Sequence, residues 1–248
     1  MYAILDIETT GGKFNEEGIT EIAIHKFDGQ KVVDKFISLV NPEKEIQPFV
    51  VKLTGINSKM LQTAPKFYEV AKRIIEITED TVLVAHNAQF DYRILRTEFR
   101  RLGYNFERKT LCTVDLSKLL LPDADSYSLG KLVRSLGIPV SDRHRANGDA
   151  LATIKLFKLL LAKDSEKIII KDTIRKETQG ELSEKQLDIV RELPNKTGIF
   201  YMHNKDGDII YLSKSTDIKK KVNQLFTKSG DKSRKLAKDT KKVTYELT

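Results

Sequence analysis

Residues 2–10 read Tyr-Ala-Ile-Leu-Asp-Ile-Glu-Thr-Thr, and this order decides how the chain is built. Ala3, Ile4, Leu5 and Ile7 suit a strand bound for the core. Asp6 and Glu8 sit among them with a single Ile between. In a strand, residues i and i+2 share a face. Both carboxylates therefore point one way, and Leu5 and Ile7 point the other. Like charges ~5–7 Å apart repel, and desolvation sharpens the repulsion. Two readings follow: an exposed strand face with solvated acids, or a face that holds a cation between them.

The sequence beyond predicts a mixed sheet covered by helices. Residues 19–40 read as two more strands turning at Asp28-Gly29, a common hairpin pair, and Asn41-Pro42 ends the ribbon. Phe67, Val70, Ala71, Ile74 and Ile77 recur at helical spacing. Residues 81–85, TVLVA, suit a short strand buried on both faces. A helix follows over 88–103, with Phe90, Ile94, Leu95, Phe99 and Leu102 as its apolar stripe and Gly103 at its C-terminus. Residues 128–137 form another helix, and 148–162 a third that is apolar almost all round. An antiparallel ribbon followed by alternating strands and helices indicates an α/β domain over 1–163.

The composition narrows the function classes. The chain has 248 residues, 40% of them apolar, and carries a formal charge of +8. Residues 1–162 hold +2 of that charge and 163–248 hold +6. A basic balance favours polyanions, nucleic acid above all. No apolar run reaches the ~18–20 residues of a membrane span, and the first strand begins at once, without a signal peptide. Cys112 is the only cysteine, read as a small buried residue of a protein in a reducing cytoplasm.

Two further acids open helices. Asp91 follows the strand 81–85 and the turn HNAQF, and Asp149 follows the polar segment SDRHRANG. Acids delivered to element ends by separate segments suit a hard cation, Mg²⁺ or Mn²⁺, through oxygen ligands alone. A pair of such ions stabilises both oxygens of a phosphoryl displacement. His144 precedes Asp149 by five residues, about 140° round a helix, so it belongs to the loop ahead of it. There it is either a solvated residue or a base that takes a proton from water.

LDIETTG, HNAQFD and HRANGDA resemble the three motifs of the DEDDh exonucleases, the superfamily of the proofreading epsilon subunit of DNA polymerase III, ribonuclease T and oligoribonuclease. The resemblance covers about residues 1–162, and LTGINSKMLQTAPKF and CTVDLSKLLLPDADSYSLGKL look alike between the motifs. It implies a ribonuclease-H-like mixed sheet. It assigns Asp6, Glu8, Asp91 and Asp149 to two divalent ions, His144 to the general base, and Thr9 and Thr10 to the terminal nucleotide. Asn87 and Phe90 stand in the second motif and are assigned with it to substrate binding, although by themselves Asn87 reads first as a turn cap and Phe90 as core. The implied reaction hydrolyses the 3′-terminal phosphodiester of single-stranded DNA or RNA to nucleoside monophosphates, in replication or repair. A DNA polymerase subunit is the partner this suggests.

Beyond Lys163 a charged linker is expected over 164–193, with a short helix at Ser183–Glu192. Residues 194–248 resemble the opening of a GIY-YIG nuclease domain, a small α+β fold found at the N-terminus of the excision-repair endonuclease UvrC. The first triplet here is Gly198-Ile199-Phe200 and the second Tyr211-Leu212-Ser213, so a tyrosine and a glycine of the pattern are missing. Lys221 stands at the arginine position, without the planar fork that grips phosphate. The pattern's glutamate is expected beyond Thr248. Residues 196–248 carry a charge of +7. Tyr211, Lys214, Lys219, Lys220 and Lys221, with Lys228, Lys232, Arg234 and Lys235, either contact phosphates or form a solvated face. Two alternatives to an exonuclease stay open: a non-catalytic nucleic-acid-binding scaffold, and a repair endonuclease acting through this segment.

Overall fold

The computed structural model describes residues 1–12, 16–175, 182, 184–227 and 231–247, with the side chains of 184, 185, 187, 231, 232 and 234 left aside. The chain divides into two compact units, Met1–Glu177 and Thr178–Thr248.

The first unit is an α/β domain. Strands β1 (Tyr2–Thr9), β2 (Ile19–Phe27) and β3 (Val32–Leu39) form the expected ribbon. Its β2–β3 turn is held by the Asp28 carboxylate, which accepts from the backbone N–H of Gln30 and Lys31, both at 2.8 Å. Two short helices follow, α1 (Pro48–Thr54) and α2 (Ser58–Leu61), then α3 (Phe67–Thr78), β4 (Val82–Ala85), α4 (Ala88–Arg101), β5 (Lys109–Cys112), α5 (Thr113–Leu120), α6 (Leu129–Ser135), α7 (Ala146–Lys163) and α8 (Ile168–Thr173). The sheet order is β3-β2-β1-β4-β5. Its first three strands are antiparallel, and β1, β4 and β5 run parallel.

Alternation along β1 builds the two layers. Ala3, Leu5 and Ile7 join Phe67, Ile74, Ile94, Leu95 and Phe99 in a core with α3 and α4. Ile4 joins Phe27, Leu116, Leu132, Phe157 and Leu160 in a core with α5, α6 and α7. Each large side chain so buried contributes about 1.5–3 kcal/mol. The acids lie where both layers meet the C-terminal end of β1. There the β1–β2 register slips between Glu8 and Thr9, a bulge of the kind that ends ladders beside active sites.

The linker expected from residue 164 does not begin there. Asp164 accepts from the backbone N–H of Ile168 and Ile170 (3.2 and 2.8 Å) and so starts α8. Ile170 is buried in the second core. Arg175 then pairs with Thr110 of β5 by backbone hydrogen bonds and with Asp115 by charge. Leu102 also departs from expectation: α4 ends at Arg101, and Leu102 is 45% exposed. No helix among the described residues is long and apolar enough to cross a membrane.

The second unit holds α9 (Glu184–Glu192), β6 (Gly198–His203), β7 (Ile209–Ser215), α10 (Ile218–Thr227), α11 (Asp231–Asp239) and β8 (Lys242–Leu247). Its antiparallel sheet has the order β7-β6-β8. Phe200, Met202, Ile218, Val222, Phe226 and Leu236 are its buried apolar residues along with Val190 and Leu193. Gly198 is required by close approach, since a Cβ there would lie 2.2 Å from the Glu246 carbonyl oxygen.

Candidate active site

Three of the expected acids come together. Asp6, Glu8 and Asp149 each bring a carboxylate oxygen within 4.8 Å of the other two. Strand β1 supplies the first two from one face. Helix α7 supplies Asp149 from its first turn, where the dipole favours negative charge.

Asp91 arrives from the other layer, in the first turn of α4, and is 4% exposed. Its Oδ1 accepts from the backbone N–H of Ile7 at 3.1 Å. It lies beside Asp6, whose proton it helps to retain, but outside the group of three.

The acids repel in a dry setting. Burial, then Asp91, Glu8 and Asp149, hold the Asp6 carboxyl well above the ordinary carboxylate range. Burial raises Glu8 to about 7, with Asp149 and Glu21 adding to the rise. Burial likewise raises Asp91 and Asp149. Arg143 is the cation at hand, its Nη1 3.1 Å from Asp149 Oδ1. Those two atoms are buried and neither makes a hydrogen bond. An oxygen-only donor set, mutually repelling and with a buried carboxylate oxygen that no hydrogen bond satisfies, fits a hard divalent cation.

His144 lies in the loop before α7, half-buried, with φ at 61°. Its backbone N–H donates to Asp149 Oδ2 at 3.3 Å. Gly148 lets that loop lie against the helix: a Cβ there would stand 2.1 Å from the Asp142 carbonyl oxygen.

The remaining expected residues separate. Thr10 is 2% exposed. Its hydroxyl donates to the Gly11 carbonyl (2.9 Å) and accepts from Gly18 N–H (3.1 Å), so the hydroxyl is spent in the turn. Thr9 accepts weakly from Gly11 N–H at 3.3 Å. Asn87 holds the N-cap position of α4 in the left-handed region, but its side chain makes no cap and stands exposed, contrary to the capping expectation. Phe90 packs partly on the core and carries the Arg93 guanidinium over its ring at 5.5 Å.

In the second unit, Tyr211 leans on Phe200. Lys219 donates to the Arg191 carbonyl at 3.0 Å and so ties α10 to the end of α9. Lys214 and Lys220 are exposed, and Lys221 is half-buried. Lys235 is exposed, whereas Lys228 and the side chains of Lys232 and Arg234 lie outside the described residues, as does Ser183.

Sequence reasoning missed Arg143, Glu21 and Arg145. Arg145 grips the Glu21 carboxylate with two hydrogen bonds of 3.0 and 2.6 Å. The available signal was an acid in the otherwise apolar strand ITEIAI, which needs a buried partner.

The profile of the RNase T exonucleases matches residues 3–157, a span that contains all five motif residues. The chain belongs to the RNase T exonuclease family. A Mycobacterium tuberculosis (strain CDC 1551 / Oshkosh) protein named for a bifunctional exonuclease/endonuclease is 31% identical over 91% of this chain. A Staphylococcus aureus (strain USA300) relative, the 3′-5′ exonuclease DinG, is 32% identical over 88% of it. The chain spans 37% and 25% of their lengths. Exonuclease X in complex with 5′ overhanging duplex DNA superposes with a TM-score of 0.56 at 28% identity, covering 66% of this chain and 93% of that one. The first unit thus carries the RNase T exonuclease domain, with the mixed sheet and flanking helices of ribonuclease-H-like exonuclease structures. The match ends at residue 157, before the second unit.

Proposed function

We propose that the first unit is a metal-dependent 3′→5′ exonuclease acting on single-stranded or overhanging DNA ends. The observation that carries this reading is the convergence of Asp6, Glu8 and Asp149 within 4.8 Å, with Asp91 beside Asp6. These four residues would hold two divalent ions, magnesium or manganese, which supply positive charge to the attacking and leaving oxygens. The names of the DinG relative and of the DNA-bound exonuclease support direction and substrate.

The chain's own groups divide the remaining work. His144, whose backbone N–H donates to Asp149 Oδ2, takes the proton from the attacking water. The turn after Thr9 and the exposed Asn87 contact the terminal nucleotide. Phe90 steadies α4 through its packing. The product is a nucleoside 5′-monophosphate.

The second unit binds nucleic acid and does not cleave it. Lys214, Lys220 and Lys221 contact phosphates without reading sequence. Relative to the GIY-YIG pattern, the tyrosine of the first triplet and the arginine are replaced by Phe200 and Lys221, which supports binding without cleavage. The name of the mycobacterial relative makes the endonuclease alternative worth a direct test.

That test compares linear single-stranded DNA with a closed circle of the same sequence, in manganese. Degradation of the linear form alone is expected. Linearisation of the circle would show an endonuclease and overturn this assignment.

A further inference from the structure

Strand β2 carries none of the motif residues, yet it seats the loop that carries His144. Glu21, Ala23 and His25 alternate along β2 opposite Glu8, Asp6 and Ile4 of β1. All six therefore share one face of the sheet, the face that receives α7. The contacts fall on three consecutive positions of the chain. Asn147 Oδ1 accepts from His25 Nε2 at 3.0 Å. Ala146 packs with Ala23 and Ala150, and its backbone N–H donates to Glu21 Oε2 at 2.8 Å. Arg145 donates twice to the same carboxylate, whose residue is 4% exposed. His144 comes immediately before, in a left-handed conformation that an L residue keeps only when its neighbours dictate it.

We propose that Glu21 and Arg145 form a positioning pair that fixes the His144 backbone, and through it the imidazole, against the substrate phosphate. The pair also explains how a buried glutamate survives opposite Glu8: the guanidinium and the Ala146 N–H satisfy both carboxylate oxygens. A pair made only for stability needs no relation to the loop. This one bonds the residue next to the base and the first backbone N–H of its helix. The inference rests on the reading of His144 as general base.

The test uses the full chain with Glu21→Gln and Arg145→Gln combined, which removes both charges together, the first change isosteric and the second shorter by two heavy atoms. Steady-state cleavage of a 5′-labelled oligonucleotide in manganese is measured with and without His144→Ala. The double variant is expected to lose about 10- to 100-fold in kcat, with KM within about threefold. Adding His144→Ala should cost nothing further, because a misplaced base is already lost. Manganese affinity by calorimetry should stay within about threefold, and Arg145→Lys alone should recover part of kcat. Amide hydrogen exchange over 141–149 should quicken by about tenfold or more, a readout that needs no activity.

A kcat within twofold of the parent, losses that multiply with His144→Ala, or unchanged exchange over 141–149 would overturn the proposal. Loss of manganese binding would also overturn it, by placing the pair's role at the acids. A parent protein without nuclease activity refutes the functional reading instead, and the exchange measurement still decides whether the pair holds the loop.

Discussion

Arg143 Nη1 stands 3.1 Å from Asp149 Oδ1, and neither atom forms a hydrogen bond. The contact is one of charge without directional bonding. It places a cation where three carboxylates crowd together, and Arg143 lowers the protonation tendency of Asp6, Glu8 and Asp149 alike. Arg143→Gln should destabilise the metal-free first unit by about 1 kcal/mol, or roughly 2–4 °C in its unfolding transition. In saturating manganese the difference should shrink, because the ions take over the neutralising role. Thermal melts with chelator and with manganese check both halves.

The acids are selected against stability. Asp6→Asn removes a carboxyl that burial and neighbouring acids make costly to ionise, so the chelated variant should melt a few degrees above the parent. The same change should reduce exonuclease activity by at least about 10²–10³-fold, the scale on which single groups of an electrostatic site act. A variant that melts lower and cleaves normally would contradict the assignment of Asp6.

The pH dependence of the metal-free protein follows from Glu8, raised to about 7 by burial, Asp149 and Glu21. The folded state keeps this proton up to about pH 7, whereas the unfolded chain releases it near the ordinary 4.5. Between those values the native state binds more protons, so stability falls as pH rises. The group's contribution, about 3.5 kcal/mol at most, is full below pH 4.5 and gone above 7. Melts in chelator should therefore decline from pH 5 to 8. Glu8→Gln should flatten that decline.

Gly148 tests the seat of the histidine loop by sterics. A methyl group at that position meets the carbonyl oxygens of Asp142 and Ser141 at 2.1 and 2.5 Å. Both are backbone atoms, so the loop must move. Gly148→Ala should lower stability by about 1–3 kcal/mol and reduce cleavage well beyond that, with circular dichroism still showing a folded chain. Equal activity would mean that the loop's place is not critical.

Salt dependence probes the second unit. Replacing Lys214, Lys220 and Lys221 by Gln should reduce the slope of log affinity against log salt by about 2 for single-stranded DNA. The initial cleavage rate at saturating DNA should hardly change. A slope equal to the parent's would return these lysines to an ordinary solvated face.

Much of this was legible in the sequence, and the reasons are physical. The spacing of Asp6 and Glu8, the helical stripes around Ile74 and Ile94, and the turn at Asp28-Gly29 are local patterns, and they survive as β1, α3, α4 and the β2–β3 hairpin. Strand β5 has four residues and α1 seven, too short for periodicity to show. Helix α8 was hidden in a charged stretch, because what holds it is one buried Ile170 and the carboxylate of Asp164. Arg145 and Glu21 stand 124 residues apart, and no single sequence reveals such a pairing. The outward Leu102 and the spent hydroxyl of Thr10 show the same limit: type and spacing mark a residue as a candidate, while neighbours decide its use.

The central claim is that the acid cluster of β1 and α7 cuts nucleic acid from the 3′ end. Its most direct measurement takes single-stranded DNA and RNA labelled at the 5′ end, incubated with the protein and manganese beside an Asp149→Ala control, and resolved on a denaturing gel. The account predicts a ladder shortening from the 3′ end that the control lacks, with the faster-shortened sugar naming the substrate. Intact oligonucleotides with both proteins across the tested manganese range would contradict it and leave a nucleic-acid-binding scaffold.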